Sequence, residues 1–478
     1  MKTKILTGII CIVLLFSCSK SFEELNYNPN AITTDELIPP NLLIKGTMLA
    51  DISINMSHLQ RISGMWSGQY RGEIALYLGL YNYDFSSEES NSAWSYLYNG
   101  IIKQNRQIQK YYDLNGLDSQ GKLISAISKV IEAHAVGTAT SIWGDIPYSE
   151  AVVDGIEDPK FDKQSAVYTA IQKVLDDAIT LLNDASTLNT LNEDIFFGGD
   201  KNKWKAVAYT LKARYFVQTK QYGLAYTAAG NGVSSHAGTL KFTPLASRAT
   251  GSENVLYRFM AGNRKGYMSV DNTFCRDLLS STAGKTRRNA KTDEQARRNY
   301  LRAGSASGTN RTYIINGELT PMSMVSYQEN LLILAETGAR TVSFAEGLTQ
   351  LNNVRAFLKS TDSFDLRFSS DADDKIYNDY VTADFDAGGM ENSDNIVPLR
   401  ALLREIVEER YVTGFGTFMP WNDLRRLRTE TDIVVPVPFN KSGVTMHPQR
   451  LIISQNELNT NPNATSGLSI FDPTEVNQ

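Results

Sequence analysis

Residues 167–182 read VYTAIQKVLDDAITLL, and this stretch indicates the fold class of the chain. Its apolar side chains return every three or four residues, at Val167, Ile171, Val174, Leu175, Ala178 and Leu182. This spacing places them on one face of a helix about four turns long. We therefore predict an amphipathic helix whose apolar face packs against a core.

The same spacing recurs along the chain and predicts a mainly α-helical protein. Four further stripes begin at Leu123, Trp204, Met324 and Leu399 and end at His134, Tyr215, Ala335 and Val407. The stripe of residues 167–182 and the stripe of residues 204–215 are separated by a polar break, as in a helical hairpin. Successive hairpins indicate stacked helix pairs of the tetratricopeptide kind.

Four long segments without helical spacing are rich in Gly, Ser, Asn and Tyr: residues 64–88, 230–251, 261–320 and 361–393. Loops of this length are uncommon inside a domain and often carry binding groups. The first segment is the densest in aromatic residues. We predict a ligand-binding site there, formed by Trp66, Tyr70, Arg71, Tyr77, Tyr81, Asn82 and Tyr83.

Two interpretations of these rings stay open. A flat ring with a polar tip can stack on the apolar face of a sugar, while Arg71, Asn82 and Asp84 hydrogen-bond its hydroxyls. The same rings can equally fill space between helices. Trp94 is followed by apolar residues at helical spacing, so we predict that it is a core residue.

The N-terminus has the features of a secretory signal peptide, with Lys2 and Lys4 before an apolar run of about 12 residues. A membrane-spanning helix needs about 20 such residues. The sequence Leu-Phe-Ser-Cys ending at Cys18 resembles a bacterial lipobox. We predict that residues 1–17 are removed, that Cys18 is lipidated and that residues 18–30 form a lipidated tether. Residues 31–478 then form a single α-helical domain with long loop insertions.

The composition is that of a globular protein, with 42% hydrophobic and 21% charged residues in a chain of 478. A formal charge of -5 argues against nucleic acid as a partner, because phosphate neutralisation needs a Lys and Arg surplus. The four histidines lack the spacing of a zinc site, so we expect no metal and no cofactor. His134 and Cys275 are predicted to be buried in the core.

Charge clusters offer alternatives to a binding role. Glycoside hydrolysis uses paired carboxylates, which occur at Glu88 and Glu89 and at Glu405, Glu408 and Glu409. The latter three are expected on the solvated face of a helix, which makes a secreted glycosidase the weaker interpretation. Residues 285–302 carry seven basic side chains and are predicted to be a solvated loop, or a surface that attracts an acidic partner.

Five ordered blocks, together with the lipobox, resemble the SusD/RagB family of outer-membrane nutrient-binding lipoproteins, especially its SusD-like branch. They are SAWSYLY at 92–98, WGDIPYSEA at 143–151, YQENLLILAE at 327–336, EERY at 408–411 with WNDLRR at 421–426, and PQR at 448–450 with SQNELNTNP at 454–462. Gly144 and Pro147 are expected to break a helix, and Trp421 with Arg425 to bridge core and surface. None of the block residues is predicted to bind ligand.

The resemblance implies tetratricopeptide-like helix pairs that form a superhelical scaffold with a loop-rich ligand-binding face. It implies a lipid-anchored protein of the outer membrane, facing the cell exterior. Such a protein binds oligosaccharides, or peptides in some members, and delivers them to a SusC-like, TonB-dependent outer-membrane transporter. It implies binding rather than catalysis. A scaffold that contacts only its transporter is the remaining alternative.

Overall fold

A computed structural model confirms the mainly helical fold and describes residues 38–245, 253–281, 287–301, 317–360 and 375–478. The predicted signal peptide, the lipidation site Cys18 and the tether of residues 18–30 lie outside the described residues. The chain from Pro40 to Gln478 forms one compact unit. None of the described helices combines the length and apolar character that a membrane crossing requires.

The first helices are α1 (Pro40–Asn55), α2 (His58–Trp66), α3 (Ala75–Tyr81), α4 (Asn91–Ser95), α5 (Lys103–Asn115), α6 (Ser119–Trp143), α7 (Gln164–Asn183), α8 (Lys201–Gln218) and α9 (Tyr222–Ala229). They are followed by α10 (Val255–Met260), α11 (Phe274–Leu278), α12 (Gln295–Tyr300), α13 (Tyr327–Thr341), α14 (Phe344–Lys359), α15 (Pro398–Thr413), α16 (Met419–Arg426) and α17 (Gln455–Thr460). A π-helical stretch, Tyr96–Ile102, joins α4 to α5.

Several of these helices begin directly after a residue with a short polar side chain. Ser326 Oγ accepts a hydrogen bond from Glu329 N at 3.1 Å, and Ser343 Oγ accepts one from Glu346 N at 3.0 Å. Both follow the Ser-x-x-Glu pattern that satisfies amide groups at a helix start. At the other end of α6, Gly144 has a φ of 88° and stops the helix, as the sequence predicts.

The long helices pack in series and form the scaffold. α6 packs on α7, α8 on α9 and α13 on α14, while α7 with α8 and α9 with α13 connect one pair to the next. The approach of α6 and α8 is close, because a Cβ at Gly137 would lie 2.1 Å from the Tyr215 ring. This serial packing is what the hairpin pattern in the sequence predicts.

The apolar stripes of the sequence face the core. In α7, Val167, Ile171, Leu175 and Leu182 are buried, while Val174 at the edge of the stripe is half-buried. Trp94, His134 and Cys275 are also buried, as predicted.

Short strands organise the chain between the helices. They are β1 (Arg71–Gly72), β2 (Leu240–Phe242), β3 (Met268–Ser269), β4 (Thr292–Asp293), β5 (Met322–Val325) and β6 (Ile376–Tyr377). β1 pairs antiparallel with β3, β2 with β5 and β4 with β6. The β1–β3 pair fixes the segment in which the sequence predicts a ligand site.

Candidate ligand-binding face

The Gly-rich segment of residues 64–88 is more regular than the predicted loop. It contains the end of α2, then β1 and α3. In β1, Arg71 lies opposite Ser269 in the antiparallel register. Two non-glycine residues of this segment have positive φ, Ala75 at 50° and Tyr83 at 70°. Such conformations cost on the order of 1–3 kcal/mol and cluster at functional sites.

Trp66 and Tyr70 lie in the core, where each is 0% exposed. Trp66 Nε1 donates a hydrogen bond to Leu80 O at 2.8 Å, and its ring meets that of Trp421 with centroids 5.8 Å apart. Tyr70 OH accepts a hydrogen bond from Gln60 Nε2 at 3.3 Å. A ligand cannot reach either ring without displacing its neighbours. We therefore correct the prediction for these two residues: their rings pack in the core and do not contact a ligand.

Tyr77 and Tyr83 are also buried, and both are fixed through their hydroxyls. Tyr77 OH accepts a hydrogen bond from Arg61 Nε at 3.0 Å, and Tyr83 OH accepts one from Asn440 N at 2.9 Å. Burial raises the pKa of both phenols. These buried rings pack under the segment and stabilise it. We therefore correct their predicted role from ligand binding to structural support.

Arg71, Tyr81 and Asn82 keep part of their surface exposed. The Arg71 guanidinium carbon lies 5.7 Å from the centroid of the Tyr81 ring. Asn82 Nδ2 donates a hydrogen bond to Leu78 O at 2.9 Å, which holds its side chain against α3. These three residues are the accessible part of the predicted site, and their ligand role stays a prediction.

A distant loop, residues 439–441, completes this surface. Asn440 Nδ2 donates hydrogen bonds to Met65 O and Tyr81 O, each at 2.9 Å. The loop thereby places Phe439, which is 42% exposed, and Lys441 beside the segment. Sequence reasoning missed this loop, although its aromatic residue lies in the turn-rich run FNKSG at 439–443.

We call the surface formed by Arg71, Tyr81, Asn82, Asp84, Phe439 and Lys441 the Tyr81 face. Its charges are balanced, since Lys441 Nζ lies 3.9 Å from Asp84 Oδ1 and Arg71 Nε lies 3.7 Å from Glu73 Oε1. Exposed rings, amide groups and no excess charge suit a ligand that is uncharged, with apolar faces and hydroxyl edges.

Glu405 and Glu409 of α15 are buried and Glu408 is half-buried, so the three do not form the solvated face that the sequence predicts. Arg287 donates to Glu405 at 2.9 Å, to Glu408 at 3.0 Å and to Glu409 at 2.8 Å. Burial raises the pKa of Glu405 well above its ordinary value, against the pull of Arg287. All three carboxylates therefore converge on one buried guanidinium, a structural network rather than an open catalytic pair.

The same network corrects the prediction for the basic segment. Arg287 and Arg297 are buried, and Arg297 donates to Glu409 at 2.9 Å. Lys285 and Arg302 lie outside the described residues. The segment is thus neither a fully solvated loop nor a fully open basic surface, because two of its arginines neutralise interior carboxylates.

Other candidate groups serve the core. His134 Nδ1 lies 2.9 Å from Asp51 Oδ2, in a buried pair. Burial raises the pKa of the Cys275 thiol to about 12. Trp421 and Arg425 are both buried, with the guanidinium carbon 3.8 Å from the ring centroid, so they do not bridge core and surface as predicted. The described residues contain no cluster of His, Cys, Asp and Glu that would hold a metal ion.

Comparison with known proteins adds sequence and fold relationships. Residues 29–240 match the model of a SusD-like family described as starch-binding and associating with the outer membrane. A comparison with curated proteins finds no match.

Solved structures match over most of both chains. A SusD/RagB family protein from Bacteroides thetaiotaomicron has a TM-score of 0.65 at 18% identity, covering 92% of this chain and 99% of its own. A chitin-binding protein has a TM-score of 0.63 at 21% identity, covering 92% and 100%. A chitin-binding SusD homolog from Flavobacterium johnsoniae has a TM-score of 0.63 at 16% identity, covering 91% and 98%. Residues 29–240 are therefore similar in sequence to the SusD-like family, and the described chain shares the fold of these SusD-like structures.

Proposed function

We propose that this protein captures glycans at the cell surface and delivers them to a TonB-dependent outer-membrane transporter. The observation that carries the proposal is the Tyr81 face. It presents the Tyr81 ring beside Arg71, with Asn82 next in the chain and the exposed Phe439 on the adjoining loop of residues 439–441. A sugar ring has apolar faces for stacking and hydroxyl edges for hydrogen bonding, so it complements such a surface.

An uncharged oligosaccharide is the ligand class that the face favours. Its two ion pairs leave no surplus charge to attract an acidic polymer or a charged peptide. Two structurally similar proteins are named as chitin-binding, and the matching family model is described as starch-binding. Both polymers consist of uncharged hexose units.

The N-terminal sequence supports a lipid anchor. Cys18 follows the apolar run of a signal peptide and ends a lipobox-like sequence. Several acyl chains on one cysteine would hold the protein firmly at a membrane, at about 0.8 kcal/mol per buried methylene. The family model's association with the outer membrane supports this location. A Cys18→Ser variant should leave the membrane fraction, whereas the unmodified chain stays in it.

The arrangement of the carboxylates supports capture without turnover. Glu405 and Glu409 are buried around Arg287 together with the half-buried Glu408, and Glu89 pairs with His58 while Glu88 is exposed. Carboxylates bound to a buried arginine do not form the open pair that glycoside hydrolysis uses. We propose that the protein holds its ligand intact for the transporter.

Calorimetric titration of residues 19–478 tests the capture role. The panel contains malto-oligosaccharides, chitin oligosaccharides, an acidic oligosaccharide and peptides, and each mixture is examined for cleavage products. Saturable binding of an uncharged oligosaccharide without cleavage supports the proposal. Cleavage, or binding of peptides alone, overturns it.

Delivery needs its own experiment. The full-length lipoprotein is purified from detergent-solubilised outer membranes under mild conditions, and the proteins that co-purify are identified by mass spectrometry. A TonB-dependent transporter should co-purify in stoichiometric amount. Recovery of the lipoprotein without any such transporter contradicts the delivery role while leaving glycan capture standing.

A further inference from the structure

A cavity of about 430 Å³ lies among the helices, and no residue of the Tyr81 face lines it. Its lining comes from α6, α8, β5, α15 and the loop of residues 414–418. The volume is within the range of about 300–1,000 Å³ that is typical of small-molecule sites. The lining of the cavity includes buried residues of α6 and α8. It also includes Pro321, which is exposed.

The walls offer rigid apolar contacts. Tyr215, Phe415 and Phe418 line the cavity and are buried. Tyr215 is held in place because its OH donates a hydrogen bond to Ala133 O at 3.0 Å and its ring packs on Gly137. Such fixed rings suit the flat face of a ring-shaped ligand.

Two amide groups in the lining lack a partner. Gln218 is 5% exposed and Asn422 is 7% exposed, and both line the cavity. Asn422 Oδ1 accepts a hydrogen bond from Arg425, but within the described chain neither Asn422 Nδ2 nor the Gln218 amide has a protein partner. Neither group is fully enclosed by protein atoms. The open space next to them is the cavity.

An amide without a hydrogen bond costs about 1–3 kcal/mol when it is shut off from water, so both groups favour an occupant of the cavity, either a ligand or water, that bonds to them. Together they provide donors and an acceptor. A hydroxyl group both donates and accepts, and it therefore matches this mixed set.

The arginines of the lining are already neutralised. Arg214 donates to Glu329 at 2.6 Å, and Arg410 Nε donates to Asp423 at 2.9 Å. Arg297 is likewise paired with Glu409. A phosphate or sulfate would have to compete with these carboxylates for the three arginines. Lys241 also lines the cavity, and the glucuronate probe tests whether it attracts an acidic ligand.

We propose that this cavity binds a small, uncharged, polyhydroxylated molecule of the size of one or two sugar rings. Its hydroxyls pair with the Gln218 amide and with Asn422 Nδ2, and its apolar face contacts the aromatic walls. The site is separate from the Tyr81 face and does not rest on the glycan-capture proposal. Water, at about 30 Å³ per molecule, is the competing occupant.

The test uses residues 19–478 with glucose, N-acetylglucosamine and glucuronate as separate probes, titrated by ligand-observed NMR. Gln218→Leu removes the unpartnered amide and keeps its volume. Gln107→Leu is the matched control, because Gln107 on α5 also has a buried amide oxygen without a partner but does not line the cavity. The titrations are repeated in a Tyr81→Ala background, which removes binding at the surface site.

A neutral probe should bind saturably to the unmodified chain. Its Kd should rise at least tenfold in Gln218→Leu and stay unchanged in Gln107→Leu. If Gln218→Leu fails to fold, Gln218→Asn takes its place. This variant shortens the side chain by one methylene and should raise the Kd above that of the unmodified chain, by less than the tenfold expected for Gln218→Leu.

Four results overturn the proposal. They are the absence of saturable binding by either neutral probe, equal losses in Gln218→Leu and Gln107→Leu, tighter binding of glucuronate than of the neutral sugars, and loss of monosaccharide binding in Tyr81→Ala. The first result leaves water as the occupant. Loss of monosaccharide binding in Tyr81→Ala would instead assign the signal to the surface site.

Discussion

The predicted site residues of the segment 64–88 divide into a buried half and an exposed half. The buried half consists of Trp66, Tyr70, Tyr77 and Tyr83. In the exposed half, Arg71, Tyr81 and Asn82 keep part of their surface accessible and are joined by the distant residue Phe439. The density of aromatic residues therefore does not predict which rings are buried and which stay accessible to a ligand. The residues that pack around each ring determine this.

The largest effect is expected in the buried half. Trp66→Ala removes a ring that contacts Trp421 and donates to Leu80 O, and it leaves a cavity in the core. We expect the free energy of unfolding to fall by about 3–5 kcal/mol, measured by urea denaturation. Tyr81→Ala is the matched aromatic truncation and should change it far less. If Trp66→Ala keeps its stability and loses only ligand, Trp66 belongs to the site.

The next effect is on binding at the exposed half. Tyr81→Ala removes the stacking surface beside Arg71, and we expect the binding free energy for an uncharged oligosaccharide to weaken by about 2 kcal/mol. The melting temperature should change little. Tyr81→Phe keeps the ring and should retain most of the affinity. Equal losses in Phe and Ala variants would show that the hydroxyl, and not the ring face, contacts the ligand.

A smaller effect is expected where the two halves meet. Asn440→Ala leaves Met65 O and Tyr81 O without their hydrogen bonds from the 439–441 loop. We expect about 1–2 kcal/mol lower stability in thermal unfolding, together with weaker glycan binding because Phe439 is released. Asn99→Ala removes an exposed hydrogen bond to Ser95 and is the control. A loss of stability without any loss of binding would remove Phe439 from the proposed site.

The smallest effect is expected at the surface ion pair. Lys441 and Asp84 lie 3.9 Å apart with side chains 54% and 69% exposed. Exposed pairs of this kind contribute about 0–1 kcal/mol, so Lys441→Met should barely change thermal stability or the Kd for an uncharged glycan. A tenfold change in Kd would mean that the ligand is charged at this position.

The helices follow from local sequence. The stripe at residues 167–182, the Ser-x-x-Glu starts of α13 and α14, and the stop at Gly144 are short-range features, and the structure contains all of them. Short-range spacing decides which residues share a helix face. It does not decide what the polar face of that helix meets.

The α15 glutamates show that local spacing does not predict the partners of a helix's polar face. A stripe pattern assigns Glu405 and Glu409 to solvent, whereas their partner Arg287 is more than a hundred residues earlier in the chain. The burial of residues 64–88 could not be predicted for the same reason. It depends on contacts with Asn440 and Trp421, which are distant in the chain. Contacts between such distant residues leave no periodic signal in a single sequence.

The most direct test of glycan capture by the Tyr81 face is a calorimetric titration of the unmodified chain and Tyr81→Ala, side by side, with chitin and malto-oligosaccharides. We predict saturable binding of at least one of them to the unmodified chain, an oligosaccharide recovered intact, and a Kd raised more than tenfold in the variant. Equal affinity in the two proteins, or no binding of either oligosaccharide, would contradict the account.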